Sequence, residues 1–307
     1  MRLIMKHVQA TLFLALLCAF PLCAKDYAGA ELYTKESYMY GRVEARMYMA
    51  AGSSLVSSMF LYYDFSYKGK GEPWVEIDME VLGKSPSSFQ SNIISGTLEK
   101  KITSEKIHDL AVATNAVYHT FAFEWTPTYV AWFVDSVEVR RTETNVSDPK
   151  GQVAALTKAQ SLRFNLWSSE DPDWVGAFDE AILPVNQYIN WVKVYSYTPG
   201  AGSNGSDFSL LWTDDFDTFD DNRWGTGNWT FEKNRVDFSP DNINVQNGTL
   251  IISLTKAAQT GFSGTVPVDD GPSAIPAPHV KSTLASPRDV RTFDLVGRFL
   301  GTKRIKE

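Results

Sequence analysis

Three carboxylates stand two residues apart in the stretch Trp74-Val75-Glu76-Ile77-Asp78-Met79-Glu80-Val81-Leu82-Gly83. On a β-strand, Glu76, Asp78 and Glu80 project to one face, and Val75, Ile77, Met79 and Val81 to the other. The apolar side marks an interior strand of a sandwich. The acidic side stabilises nothing by itself: neighbouring like charges resist full ionisation and raise at least one pKa. A proton donor working near neutral pH needs such a shift. Glycosidic bond cleavage uses two carboxyl groups, one giving a proton to the leaving oxygen and the other attacking the anomeric carbon or activating water. Four residues of strand span about 13 Å between Cα atoms. Two Glu side chains on such a strand therefore close on one bond only if the strand is bowed. The pattern also fits a solvated strand face or a calcium-binding cluster. The aromatic side chains Phe60, Tyr62, Trp74, Trp167, Trp174 and Trp229 favour the catalytic reading, because flat rings are surfaces on which sugars stack.

The elements that would position this strand are themselves strands. Residues 26–198 read as short alternating segments such as Gly41-Arg42-Val43-Glu44-Ala45-Arg46-Met47 and Tyr129-Val130-Ala131-Trp132-Phe133-Val134. Asp135-Ser136 reads as a hairpin turn, and only Val153 to Gln160 suggests a short helix. Many short strands rich in aromatics predict an all-β sandwich. The run Thr198-Pro199-Gly200-Ala201-Gly202-Ser203-Asn204-Gly205-Ser206 reads as a flexible joint. Beyond it, Asn242-Ile243-Asn244-Val245 and Thr249-Leu250-Ile251-Ile252-Ser253-Leu254 flank the turn signal Gln246-Asn247-Gly248. About sixty residues after the joint are too few for a comfortable core, so they are expected to complete the first sheet pair.

Residues 1–24 carry Arg2 and Lys6, an apolar run from Val8 to Phe20, and small residues before Lys25, which reads as a secretory signal peptide too short to span a membrane. The only cysteines, Cys18 and Cys23, fall within it, so the mature chain is expected to have no disulfide, cysteine metal site or cysteine nucleophile. The full chain carries a net charge of −7, and because both ends are basic, the body is more acidic still. That balance argues against nucleic acid and anionic membranes and suits a neutral polysaccharide. From Pro267 the composition turns to Pro, Ser and Ala, then ends in a short basic tail. Residues 25–268 are thus expected to form one domain and 269–307 a linker and tail. His119 falls in a strand pattern and reads as a core or edge residue, and His108 lies in a polar stretch; neither is a candidate catalyst.

With these motifs in view, the chain resembles glycoside hydrolase family 16, and within it the circularly permuted bacterial 1,3-1,4-β-glucanases, or lichenases. The stretches carrying the likeness are Trp74 to Gly83, Gly29-Ala30-Glu31-Leu32-Tyr33-Thr34, Ser57-Ser58-Met59-Phe60-Leu61-Tyr62, Ser88-Phe89-Gln90-Ser91-Asn92-Ile93-Ile94, Leu162-Arg163-Phe164-Asn165-Leu166-Trp167, and Ile189-Asn190-Trp191-Val192. The segments Phe216-Asp217 to Arg223-Trp224 and Asn247-Gly248-Thr249-Leu250, which precede the catalytic strand in unpermuted members, follow it here. The resemblance implies a concanavalin-like jelly roll of two curved antiparallel sheets and a retaining mechanism. Glu76 would be the nucleophile, Glu80 the acid and then base, and Asp78 the residue that tunes them. It implies glucan contacts at Phe60, Tyr62, Gln90, Asn92, Arg163, Asn165, Trp167, Trp229, Asn234 and Arg235. No cofactor is implied for catalysis, but a structural calcium is, on Asn190, Asp215 and the Gly248 carbonyl. Asp215 and Asp64 stand where Asn is usual, and Glu232-Lys233 replaces an Asp-Gly pair. Alternatives are a carbohydrate-binding lectin on the same fold, a laminarin- or xyloglucan-active relative, or a transglycosylase. The resemblance also implies a secreted monomer acting on β-glucan. The Asp294-Leu295-x-Gly297-Arg298 stretch is similar to a type IX sorting segment, which would bring in export machinery.

Overall fold

The computed structural model describes residues 25–271, 289–293 and 299–304. The leader at 1–24 and the sorting-like stretch at 294–298 lie outside the described residues, as does most of the linker.

Residues 25–271 form two packed sheets. In chain order the strands are β1 (Tyr27–Tyr38), β2 (Gly41–Tyr48), β3 (Leu55–Tyr62), β4 (Glu76–Leu82), β5 (Ser88–Gly96), β6 (Lys101–Thr103), β7 (Lys106–Asp109), β8 (His119–Trp125), β9 (Tyr129–Val134) and β10 (Val137–Glu143). They continue with β11 (Gln160–Ser168), β12 (Val185–Tyr197), β13 (Phe208–Asp214), β14 (Trp224–Thr226), β15 (Asp237–Phe238), β16 (Ile243–Gln246) and β17 (Thr249–Lys256). The first sheet runs β14-β1-β11-β3-β4-β5, with β6 and β7 both on the outer edge of β5. The second runs β10-β9-β8-β2-β12, with β12 also pairing β13 at one end and β17 at the other. Pairing is antiparallel throughout except between β1 and β15, and β17 crosses to pair Tyr27 with Lys256.

Alternation explains the sandwich. Leu32, Met59, Leu61, Ile77, Met79, Val81, Phe89, Ile93, Leu162 and Phe164 of the first sheet bury against Val43, Met47, Phe121, Phe123, Trp132, Val192 and Ile252 of the second. The opposite face of the first sheet is thereby left to polar and aromatic side chains. The turn Asp135-Ser136 has φ of 48° and 69°, and Asn247-Gly248 has 54° and 70°, the left-handed pair that a two-residue hairpin demands. The helix expected over Val153 to Gln160 is one turn, Gln152–Ala155, because Gln160 already begins β11. The described residues also hold one further α-helical turn, Pro172–Val175, and five 3₁₀ turns. The run 198–206 connects β12 to β13, with Thr198 N–H donating to the Asp207 carbonyl at 2.8 Å. The segments after it add strands to both sheets, as the jelly-roll expectation required.

Candidate active site

Register assembles the site. Glu76 faces Tyr62 on β3 and Ile94 on β5; Asp78 faces Phe60 and Asn92; Glu80 faces Ser58 and Gln90. Phe60 is itself opposite Arg163 and Ser58 opposite Asn165 on β11, and these face Tyr33 and Glu31 on β1. Six of the residues singled out as glucan contacts, Phe60, Tyr62, Gln90, Asn92, Arg163 and Asn165, therefore share a face with the three acids. One ladder reads Glu31-Asn165-Ser58-Glu80-Gln90, and the next reads Tyr33-Arg163-Phe60-Asp78-Asn92.

The three carboxyls differ in their surroundings. Asp78 is 4% exposed, and burial followed by the charges of Glu76 and Glu80 pushes it well above the usual carboxylate range. The contact between the two carboxyls favours the proton on Asp78 and the charge on Glu76. Glu76 is raised by burial, but the Trp74 N–H, the Lys101 ammonium, the Asp78 hydrogen bond and Arg163 all pull the other way. The Trp74 Nε1–H donates to Glu76 Oε2 at 2.6 Å. Glu80 has no such help: burial, then the charges of Glu76 and Glu105, push it up to about 8. Beneath the strand, Trp132 Nε1–H donates to the Asp78 carbonyl at 2.9 Å and fixes the backbone.

Around them the groove is lined by rings. Tyr62 meets Trp74 edge-on at 5.7 Å, and Trp229 packs on Tyr33 at 5.6 Å. Trp167 sits between Trp174 at 5.8 Å and Phe231 at 5.0 Å, and Trp174 Nε1–H donates to Gln90 Oε1 at 3.1 Å. Trp229 and Phe231 remain exposed. Arg163 is committed within the floor: Nε donates to Ser161 Oγ at 2.9 Å, Nη2 to Asp64 Oδ1 at 2.8 Å, and Nη1 to Glu31. Its guanidinium carbon also lies 5.1 Å from the ring centres of both Tyr33 and Tyr62. Asn165 is held by Ser58 and Glu31, and Asn92 Oδ1 accepts from Ser104 N–H at 2.9 Å.

Asn234 and Arg235 lie against the end of β11, Asn234 bridging Ser169 and the Arg235 N–H donating to the Ser168 carbonyl at 2.7 Å. Asn234 is 0% exposed; its Oδ1 accepts from Val236 N–H at 3.1 Å and its backbone carbonyl accepts from Lys25, so it braces a turn. Its side chain has no exposed surface in this conformation. Arg235 lays its guanidinium over Phe178 at 4.8 Å. The groove also contains residues not singled out from sequence as site residues, namely Glu31, Tyr33, Lys101 and Phe231. Their roles depend on cross-strand neighbours far away in the chain. Asp64, noted for its identity, proves to be an ion partner of Arg163.

The implied calcium set is all oxygen, which suits a hard cation. Gly248 lies beside the Asp215 carbonyl, at 3.7 Å from where its Cβ would be. Asn190, however, spends its Nδ2 on Asp269 Oδ2 at 2.8 Å. Among the described residues no group of three or more His, Cys, Asp or Glu gathers as a metal site. That bond uses the amide nitrogen, whereas an oxygen of Asn190 is what a hard cation would take. Among the described residues no helix is long and apolar enough to cross a membrane.

A family model described as "Glycosyl hydrolases family 16" matches residues 7–193. A "Beta-glucanase" of Fibrobacter succinogenes is 58% identical over 250 residues, covering 81% of this chain and 70% of that protein. A "Beta-glucanase" of Brevibacillus brevis is 32% identical, covering 57% of this chain and 62% of the relative. Among solved structures, a prokaryotic beta-1,3-1,4-glucanase (lichenase) from a mouse hindgut metagenome is 32% identical, with a TM-score of 0.48 over 57% of this chain and 75% of that one. With the family match covering more than half of its length, the chain belongs to glycosyl hydrolases family 16 and is a glycosidase.

Proposed function

We propose that this protein is an endo-acting β-1,3-1,4-glucanase that works with retention, Glu76 attacking the anomeric carbon and Glu80 handling the proton. The observation that carries the reading is the electrostatic asymmetry of the two glutamates. Glu76 receives a hydrogen bond from Trp74 and one from Asp78, beside the cation of Lys101, all of which favour a carboxylate. The charges that act on Glu80 are negative, and with burial they push it up to about 8, which favours the acid. In the first step Glu76 forms an ester to the sugar while Glu80 gives its proton to the departing oxygen. In the second, Glu80 takes a proton from water, which displaces Glu76 from the same carbon, so configuration is retained. Asp78 keeps the nucleophile aligned. Trp229, Phe231, Trp167, Tyr33, Phe60 and Tyr62 give the sugar rings their platforms, and Gln90, Asn92 and Asn165 offer hydroxyl partners. Relatives named as β-glucanases support the substrate class.

Glu76→Gln and Glu80→Gln are each expected to lower turnover on lichenan by at least about a hundredfold while glucan binding persists. Wild-type rates in either variant contradict the reading. Laminarin, xyloglucan and carboxymethylcellulose in the same assay separate mixed-linkage preference from the alternatives, and binding without turnover in the wild type points to a lectin.

The proposal extends to three features of the whole chain. A calcium ion held by oxygens at Asp215, Gly248 and Asn190 would stabilise the fold, so a chelator is expected to lower Tm and Asp215→Ala to abolish that sensitivity. The chain order is read as a circular permutation. Its support is that the domain's ends meet: Tyr27 pairs Lys256, and Ala257 N–H donates to the Asp26 carbonyl at 2.8 Å. Secretion as a monomer, with the leader removed near Lys25, is tested by the N-terminal sequence of the exported protein.

A further inference from the structure

Lys101 lies on the short edge strand β6, where it pairs with Gly96 of β5. Two residues along, Thr103 pairs with Ile94, the partner of Glu76, so Lys101 shares the face of the groove. Trp74 is tied to the same point, its N–H donating to the Gly96 carbonyl at 2.9 Å. From there Lys101 sets its Nζ 3.3 Å from the centre of the Trp74 indole. The indole N–H in turn donates to Glu76 Oε2 at 2.6 Å. A cation on the face of an indole is attracted by the ring's electron density. It also draws that density away from the ring nitrogen, making the N–H a stronger donor.

We propose that Lys101 is a positioning residue for the glycosidase reaction, clamping Trp74 so that its N–H holds Glu76 ionised and aimed at the anomeric carbon. This rests on the reading of Glu76 as nucleophile. The charged and titratable groups facing Glu76 are Asp78 and Glu80 on its own strand, Tyr62 on β3, Arg163 on β11 and Lys101 on β6. Only Lys101 and Arg163 are cations, and Arg163 is already engaged with Glu31 and Asp64. Lys101 is therefore the cation left to act on the nucleophile. Its own burial lowers its pKa, opposed by Glu76 and Asp78.

The test is the pH profile of kcat/KM, whose acid limb reports the ionisation of Glu76 in the free enzyme. Lys101→Met keeps the stem and removes the charge. Its acid limb is expected to move up by about one pH unit, the smaller end of what one opposite charge does to a carboxyl nearby. Lys101→Arg is expected to restore the wild-type limb. Trp74→Phe removes the N–H, and adding Lys101→Met to it is expected to move the limb by less than Lys101→Met does alone, since part of the lysine's effect passes through the indole. The strand β6 is exposed, so Tm of Lys101→Met should match the wild type. An acid limb unmoved in Lys101→Met, or shifts that simply add in the double variant, overturns the proposal. Glu76→Gln run alongside keeps the two readings apart: if it is inactive while Lys101→Met behaves as wild type, the nucleophile stands and the clamp falls. If Glu76→Gln is active, the nucleophile itself is wrong.

Discussion

Raising the pH is the perturbation that acts most directly on Glu80. At pH 7 a carboxyl of ordinary pKa near 4.5 is protonated in only about 0.3% of molecules, whereas one at about 8 is protonated in about nine-tenths. The structure therefore supplies a pool of competent acid larger by about two orders of magnitude, on the order of 3 kcal/mol of the barrier. The causes are burial at the groove floor and then the charge of Glu76, with Glu105 adding less. The sign follows: activity is lost as pH rises through about 8, because the acid gives up its proton before it meets substrate. The assay is kcat/KM on a soluble mixed-linkage oligosaccharide from pH 4 to 10, fitted to two ionisations. These values belong to the coupled set of Glu76, Asp78 and Glu80 rather than to single residues. In Glu76→Gln, a carbon-13 NMR titration of the Glu80 carboxyl should show its pKa fall, since the second cause of the shift has gone. A basic limb near 5, or a Glu80 titration indifferent to the loss of Glu76, refutes the reasoning.

The same shift bears on stability. Glu80 binds its proton more tightly folded than unfolded, so its contribution is fully present below about 4.5 and lost as pH rises through about 8. Glu80→Gln is accordingly expected to melt above the wild type, with a gap that widens between pH 5 and 8; equal Tm values across that window contradict it. Arg163→Met removes the partner of the buried Glu31 and is expected to cost on the order of 3 kcal/mol by denaturant unfolding, with Glu31→Gln in the same background recovering part of it. A cost under about 1 kcal/mol shows that the ion pair does little.

Much of the site was legible because it is written along single strands. Alternation alone put Glu76, Asp78 and Glu80 on one face and Ile77, Met79 and Val81 in the core. The turns at Asp135-Ser136 and Asn247-Gly248 announced themselves through residues that tolerate positive φ. What was not legible lies across strands. Glu31 meets Arg163, and Lys101 reaches Trp74, through registers that no local spacing encodes. Asn234 is expected as a glucan contact, and no local spacing signals that a turn buries it with its oxygen accepting from Val236 N–H. Asn190 likewise finds Asp269 near the far end of the domain, a contact no motif signals.

In the retaining mechanism Glu76 bonds to the sugar. Incubation with an activated 2-deoxy-2-fluoro β-glucan oligosaccharide, which slows release of the intermediate, followed by peptide mapping, tests it directly. One glycosyl adduct per chain is expected, carried on Glu76 and absent from Glu76→Gln. An adduct on Glu80, or none while the enzyme continues to turn over its natural substrate, contradicts it.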